Sequence, residues 1–137
     1  MQLVPRVTKR AENLTNKVTE VAHGFTVGQL VYLGPLGLWH LAQADDETTF
    51  KDGMVTEIVD IDTFKVTHYG MIDAPAHGFT LDSTYYLSDT LAGGITLVEP
   101  TDPLTFSQMT FEVVTADRLK IYDQVAIDNS AVFITEY

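Results

Sequence analysis

Apolar and polar positions alternate along most of this chain with a period of two. Val55, Glu57 and Val59 stand against Met54, Thr56 and Ile58, and Phe64-Lys65-Val66-Thr67 continues the alternation. Side chains of a strand point to opposite faces in turn, so this pattern predicts half-buried strands and no amphipathic helix. Val, Ile, Thr, Tyr and Phe dominate the runs, and each run meets Gly, Pro, Asp or Asn within a few residues. Strands are predicted near Lys17–Val21, Leu30–Leu33, Leu38–Ala42, Met54–Val59 and Thr63–His68, then near Met71–Ala74, Thr84–Leu87, Ile95–Val98, Thr105–Val114 and Arg118–Tyr122, with a last one over Ala131–Thr135.

The two series of strands correspond. His23-Gly24-Phe25-Thr26 recurs as His77-Gly78-Phe79-Thr80, and the same offset of 54 brings Tyr32-Leu33 onto Tyr86-Leu87. Met54 to Val59 followed by Asp62 to Val66 aligns at an offset of 55 with Met109 to Val114 and Asp117 to Ile121, so one inserted residue separates the registers. Self-similarity at a fixed period marks a repeated structural unit. The organisation expected is an arm over 1–16, a first β-repeat over 17–69, a second over 70–122, and a tail or strand over 123–137.

The turns carry their own chemistry. Gly34-Pro35-Leu36-Gly37 and Ala92-Gly93-Gly94 supply left-handed positions and a fixed proline φ, as a hairpin requires. Asp60-Ile61-Asp62 and Thr115-Ala116-Asp117 predict tight reversals in which an aspartate accepts backbone hydrogen bonds. Short strands at this spacing predict an all-β fold: two small SH3-like barrels in tandem, or one merged sandwich.

Composition narrows the function. The 137 residues suit one domain or two very small ones, and the 45% hydrophobic content is that of a folding chain. With no cysteine there is neither a disulfide framework nor a thiolate site, and no apolar run is long enough for a membrane span or a signal peptide. The net charge of -11 repels nucleic acid and anionic membrane, so neither is an expected partner. That charge is uneven: residues 1–17 hold four basic groups against Glu12, a net +3, whereas residues 18–137 hold four against eighteen acidic groups, a net -14. The arm is either a solvated extension or a segment that reaches an acidic surface on a partner or a neighbouring copy.

No constellation demands catalysis. Each repeated histidine is expected to hydrogen-bond its own turn while Gly supplies a left-handed conformation and Phe packs inward; His40 and His68 lack a partner at ligand spacing. Asp45-Asp46-Glu47 with Asp52 lacks the ordered spacing of a calcium loop, and Asp60 and Asp62 read as turn residues. Nucleophile-elbow, phosphate-loop, dinucleotide and zinc-protease strings do not occur. No enzyme, cofactor or metal is therefore expected. Trp39, Tyr32, Tyr69, Tyr85 and Tyr86 are core or interface aromatics, or else a sugar-binding face.

The segment His23 to Leu33, then Leu38 to Asp45, Val55 to Val66 with Asp62-Thr63-Phe64, and His77 to Thr80 with Tyr85-Tyr86-Leu87-Ser88-Asp89, resembles β-repeat modules of tailed-bacteriophage virion proteins, over about residues 17–122. Asp82-Ser83 replaces Gly28-Gln29 in the second copy, so a differently shaped turn is expected there. The resemblance implies a structural protein of the virion without a catalytic centre. It points to a capsid decoration (cement) protein on the capsid surface, a homotrimer whose partner is the major capsid protein; the alternative is a tail-fibre or baseplate adhesin contacting a host receptor or glycan. Arg6, Lys9 and Arg10 of the arm and Val132, Phe133, Ile134 and Tyr137 of the tail are the expected partner contacts, because they lie outside the repeats.

Overall fold

A computed structural model describes residues 13–130, in which the alternating segments form strands and no α-helix occurs. In chain order they are β1 (Asn13–Thr19), β2 (Leu30–Leu33), β3 (Trp39–Leu41), β4 (Gly53–Asp60), β5 (Thr63–Asp73), β6 (Thr84–Leu87), β7 (Ile95–Thr96), β8 (Phe106–Ser107), β9 (Met109–Thr115), β10 (Arg118–Ile121) and β11 (Ile127–Asp128). The fold is all-β, the class expected from the sequence. Nine strands form one sheet in the order β3-β2-β4-β5-β10-β9-β6-β7, with β1 on β5, while β8 and β11 make a separate pair.

The strands join into a continuous path, not two independent barrels, because β5 serves both copies. β1 pairs along Thr63 to Gly70 and β4 along Thr63 to Thr67, whereas β10 pairs along Gly70 to Asp73. The strand runs unbroken through Tyr69 and Gly70, where the sequence places a boundary between repeats. Gly70 has φ +105° at the changeover of partners, a conformation that L side chains rarely adopt. Hairpin registers correspond as well: Glu57↔Lys65 and Ile58↔Phe64 in the first copy match Glu112↔Lys120 and Val113↔Leu119 in the second.

Three expected boundaries need correction. Residues 13–16, assigned to the arm, belong to β1; Leu14 is the one apolar residue among them, so no alternation marks the strand, whose pairing comes from β5, about fifty residues along. The strand expected over 105–114 divides at Gln108, whose buried side-chain amide binds both backbone groups of Lys51 at 2.8 and 3.2 Å. In the tail, Ile127–Asp128 pairs with β8, and Asn129 donates to Pro100 O (2.8 Å) and Thr105 Oγ1 (3.1 Å). The strand expected over Ala131–Thr135 lies outside the described residues.

Two cores share several matching positions, with Phe25, Val31, Phe64 and Val66 corresponding to Phe79, Tyr85, Leu119 and Ile121. The first gathers Val31, Trp39, Val55, Phe64 and Val66, with Phe25 against it; the second gathers Tyr85, Leu87, Phe111, Val113, Leu119 and Ile121, with Phe79 against it. The first copy also sends Leu30, Ala42, Ala44 and Met54 into the second core. Adjacent residues Leu30 and Val31, and likewise Met54 and Val55, are thus all buried, because both faces of these strands are covered. Backbone bonds from Leu30 N to Gly93 O (3.1 Å) and from Ala44 N to Ser88 O (2.8 Å) tie the copies together.

Candidate functional site

The repeated His-Gly-Phe-Thr builds the same turn twice. Phe25 N donates to His23 Nδ1 (2.9 Å), and His23 Nε2 lies 2.9 Å from Asp60 O; Phe79 N donates to His77 Nδ1 (2.9 Å), and His77 Nε2 lies 2.8 Å from Thr115 O. An acceptor at Nδ1 and a carbonyl facing Nε2 together require the neutral imidazole protonated at Nε2. Each ring stacks on its phenylalanine, at 5.7 and 5.3 Å between centroids. Ala22 and Gly24, like Ala76 and Gly78, take positive φ on either side of the histidine.

With both nitrogens committed, these histidines act as turn braces. His23→Ala and His77→Ala are each expected to lower the unfolding free energy by about 0.5–1.5 kcal/mol, as a half-buried donor and an exposed acceptor exchange their partner for water. Thermal unfolding of each variant checks this, and nitrogen chemical shifts of the native rings should report Nε2–H in both.

The remaining turns also answer the expectations. Asp62 N donates to Asp60 Oδ1 (2.8 Å), as an aspartate turn requires, but in the second copy Asp117 N donates to the Thr115 hydroxyl (3.2 Å). Asp82 has φ +58° where Gly28 has φ +95°, so the left-handed conformation at this corner survives the loss of glycine. Asp60 and Asp62 both accept backbone hydrogen bonds, Asp62 from Ala22 N at 2.8 Å. In the acidic loop, Asp46 accepts from the hydroxyl and then the backbone N–H of Thr48, which hold its carboxyl below its usual range. Among the described residues no three His, Asp or Glu side chains are grouped to hold a metal ion.

The expected contact residues Arg6, Lys9, Arg10, Val132, Phe133, Ile134 and Tyr137 lie outside the described residues. Within them, two recesses stand out. The larger, about 410 Å³, opens where the copies meet and is walled by Val27, Met54, Ile72, Pro75, Phe79 and Leu119. Asp73 and His77 also line it, the first paired with Arg118 Nε at 3.3 Å and the second held by its turn. Burial of apolar surface is what such a wall offers.

The smaller recess, about 310 Å³, is lined by Leu14, Leu33, Trp39, Asp52, His68, Tyr69 and Asp123. Of the aromatics weighed from the sequence, it brings Trp39 and Tyr69 together, while Tyr85 packs in the second core. His68 braces the floor of the first sheet, with Nδ1 3.0 Å from Asp52 O and Nε2 3.1 Å from Asn16 Nδ2. Asp52 Oδ2 accepts from Leu33 N at 2.8 Å.

Next to this recess lies a group that sequence reasoning missed. Lys51 is 5% exposed, and its Nζ donates to Tyr122 O at 2.6 Å. Burial lowers its pKa to about 8, against the opposing fields of Asp123 and Asp52. The only local signal was a lysine following Phe50 at the mouth of a strand, which is an ordinary surface pattern. No protein-family model, curated protein or solved structure matches this chain.

Proposed function

We propose that this chain is a phage structural protein, a capsid decoration or cement protein that binds the assembled shell as a homotrimer and stabilises it. The observation that carries this reading is the apolar surface left in water at hairpin ends and along the segments beside the tail. Leu36, Leu104 and Val125 are 87%, 84% and 86% exposed, and Val98 is 76% exposed. Large apolar side chains exposed to this degree at turn and loop tips are available for burial against a partner. The likeness of the repeats to virion β-modules supplies the kind of partner, the major capsid protein, with the arm and tail adding contacts from outside the repeats.

The mechanism is mass action. A protein that binds the closed shell more tightly than free subunits lowers the free energy of the shell by the amount of that preference. Rupture must then break these contacts as well as those between capsid subunits. Fractionating particles into heads and tails tests the reading: the chain is expected with heads, at equal stoichiometry on full and empty shells. Recovery with tails alone, accompanied by adsorption to host cells that Trp39→Ala weakens, would overturn it in favour of an adhesin.

A further inference from the structure

The smaller recess combines two kinds of surface. Leu14, Leu33 and Tyr69 remain 43%, 50% and 42% exposed around it, and the carboxylates of Asp52 and Asp123 share the same lining. Lys51 supplies one ammonium to the fields of these two carboxylates, so negative charge exceeds positive. Apolar walls beside carboxylates and an aromatic ring are the complement of a lysine or arginine side chain, whose alkyl stem covers apolar surface while its head meets acid or π-face.

Such side chains outnumber acidic ones in the N-terminal segment, against the balance of the rest of the chain. Residues 13–130 hold five basic against seventeen acidic groups, a net -12, whereas residues 1–12 hold Arg6, Lys9 and Arg10 against Glu12, a net +2. That segment joins the body at Asn13, adjacent to Leu14 in the recess wall. The opposite signs of arm and body also act between chains, so the arm of one copy is attracted to the recess of the next; the arm of the same chain is the competing occupant, and sedimentation separates the two.

We infer that this recess receives the basic arm of a second copy, with Arg6, Lys9 or Arg10 of one chain entering beside Tyr69, Asp52 and Asp123 of the next. Donor and receptor are different surfaces, so the contact is head to tail and closes into a ring when the rotation permits. This pairing needs no capsid and is tested without one.

Sedimentation of the full chain at low and high salt provides the test. The native chain is expected to associate at low salt and to dissociate as screening rises. Asp123 is exposed and Arg10 lies in the arm, so Asp123→Lys and Arg10→Glu probe charge without opening the core. Each is expected to weaken association by about tenfold or more, and the double variant is expected to recover it by restoring opposite charges. A monomer at every salt concentration, indifference to both single variants, or no recovery in the double variant would overturn the assignment. A monomer whose Trp39 fluorescence responds to Arg10→Glu would give the recess to its own arm and overturn it equally. Fractionation of heads and tails is unaffected by any of these outcomes, so the two readings fail separately.

Discussion

Phe111→Ala is expected to lower the unfolding free energy by about 3–5 kcal/mol and to unfold both copies together. Phe111 is fully buried, with its ring 5.0 Å from Tyr85 and 5.1 Å from Phe79. It belongs to the second copy, yet the core it fills also contains Leu30, Ala42, Ala44 and Met54 of the first. The shared β5 extends the coupling, because losing β10 and β9 strips the pairing from Gly70 to Asp73. Trp39, the only tryptophan, sits in the first core and reports on that copy alone. Denaturation followed by Trp39 fluorescence should therefore shift as far as the far-ultraviolet signal, in a single transition. A Trp39 midpoint that stays in place while the circular dichroism becomes biphasic would mean that the copies unfold independently.

Stability is expected to rise by about 2–3 kcal/mol between pH 8 and pH 10, on account of Lys51. Its ordinary pKa of 10.5 applies in the unfolded chain, whereas burial sets it to about 8 in the fold. Below pH 8 both states hold the proton, and the cost of a buried ammonium is fully present. From pH 8 upward the folded state releases the proton while the unfolded state keeps it, so the unfolded chain binds more protons and stability climbs. Tyr122 acts against this above pH 10. Desolvation, with the hydrogen bond to Glu112, raises its hydroxyl to about 12, so folding opposes its ionisation and stability is lost as pH rises past 10. Chemical denaturation across this range should show the rise, and Lys51→Met should flatten it. A flat native profile would mean that Asp52 and Asp123 keep the ammonium charged.

Legibility in the sequence followed the range of the interactions. One half of the His-Gly-Phe-Thr brace is a bond from residue i+2 to residue i, and the aspartate turn is another of the same span, so both could be read from a few letters; the other half, from His23 Nε2 to Asp60 O, crosses to a distant strand and could not. Leu30-Val31-Tyr32-Leu33 reads as a strand because its residue types favour one wherever the partners lie. By contrast, Asn13 to Asn16 have no apolar alternation to betray β1, and what holds them lies far along the chain: Asn13 Nδ2 donates to Met71 O at 2.8 Å, and the Thr15 and Thr67 hydroxyls meet at 2.8 Å. The recess drew Leu14, Trp39, Tyr69 and Asp123 from four separate stretches of chain, and no spacing rule joins them.

By itself, then, the order of amino acids determined an all-β chain with paired turns, because alternation and turn chemistry act between neighbours. Tertiary structure alone decided that β5 belongs to both copies, that Leu30 and Met54 enter the second core, and that Lys51 is buried beside two aspartates. Those outcomes depend on which surfaces meet after the strands have formed. The free energy of such meetings comes from area removed from water and from charges brought close across long loops, and neither quantity is written in any local run of residues.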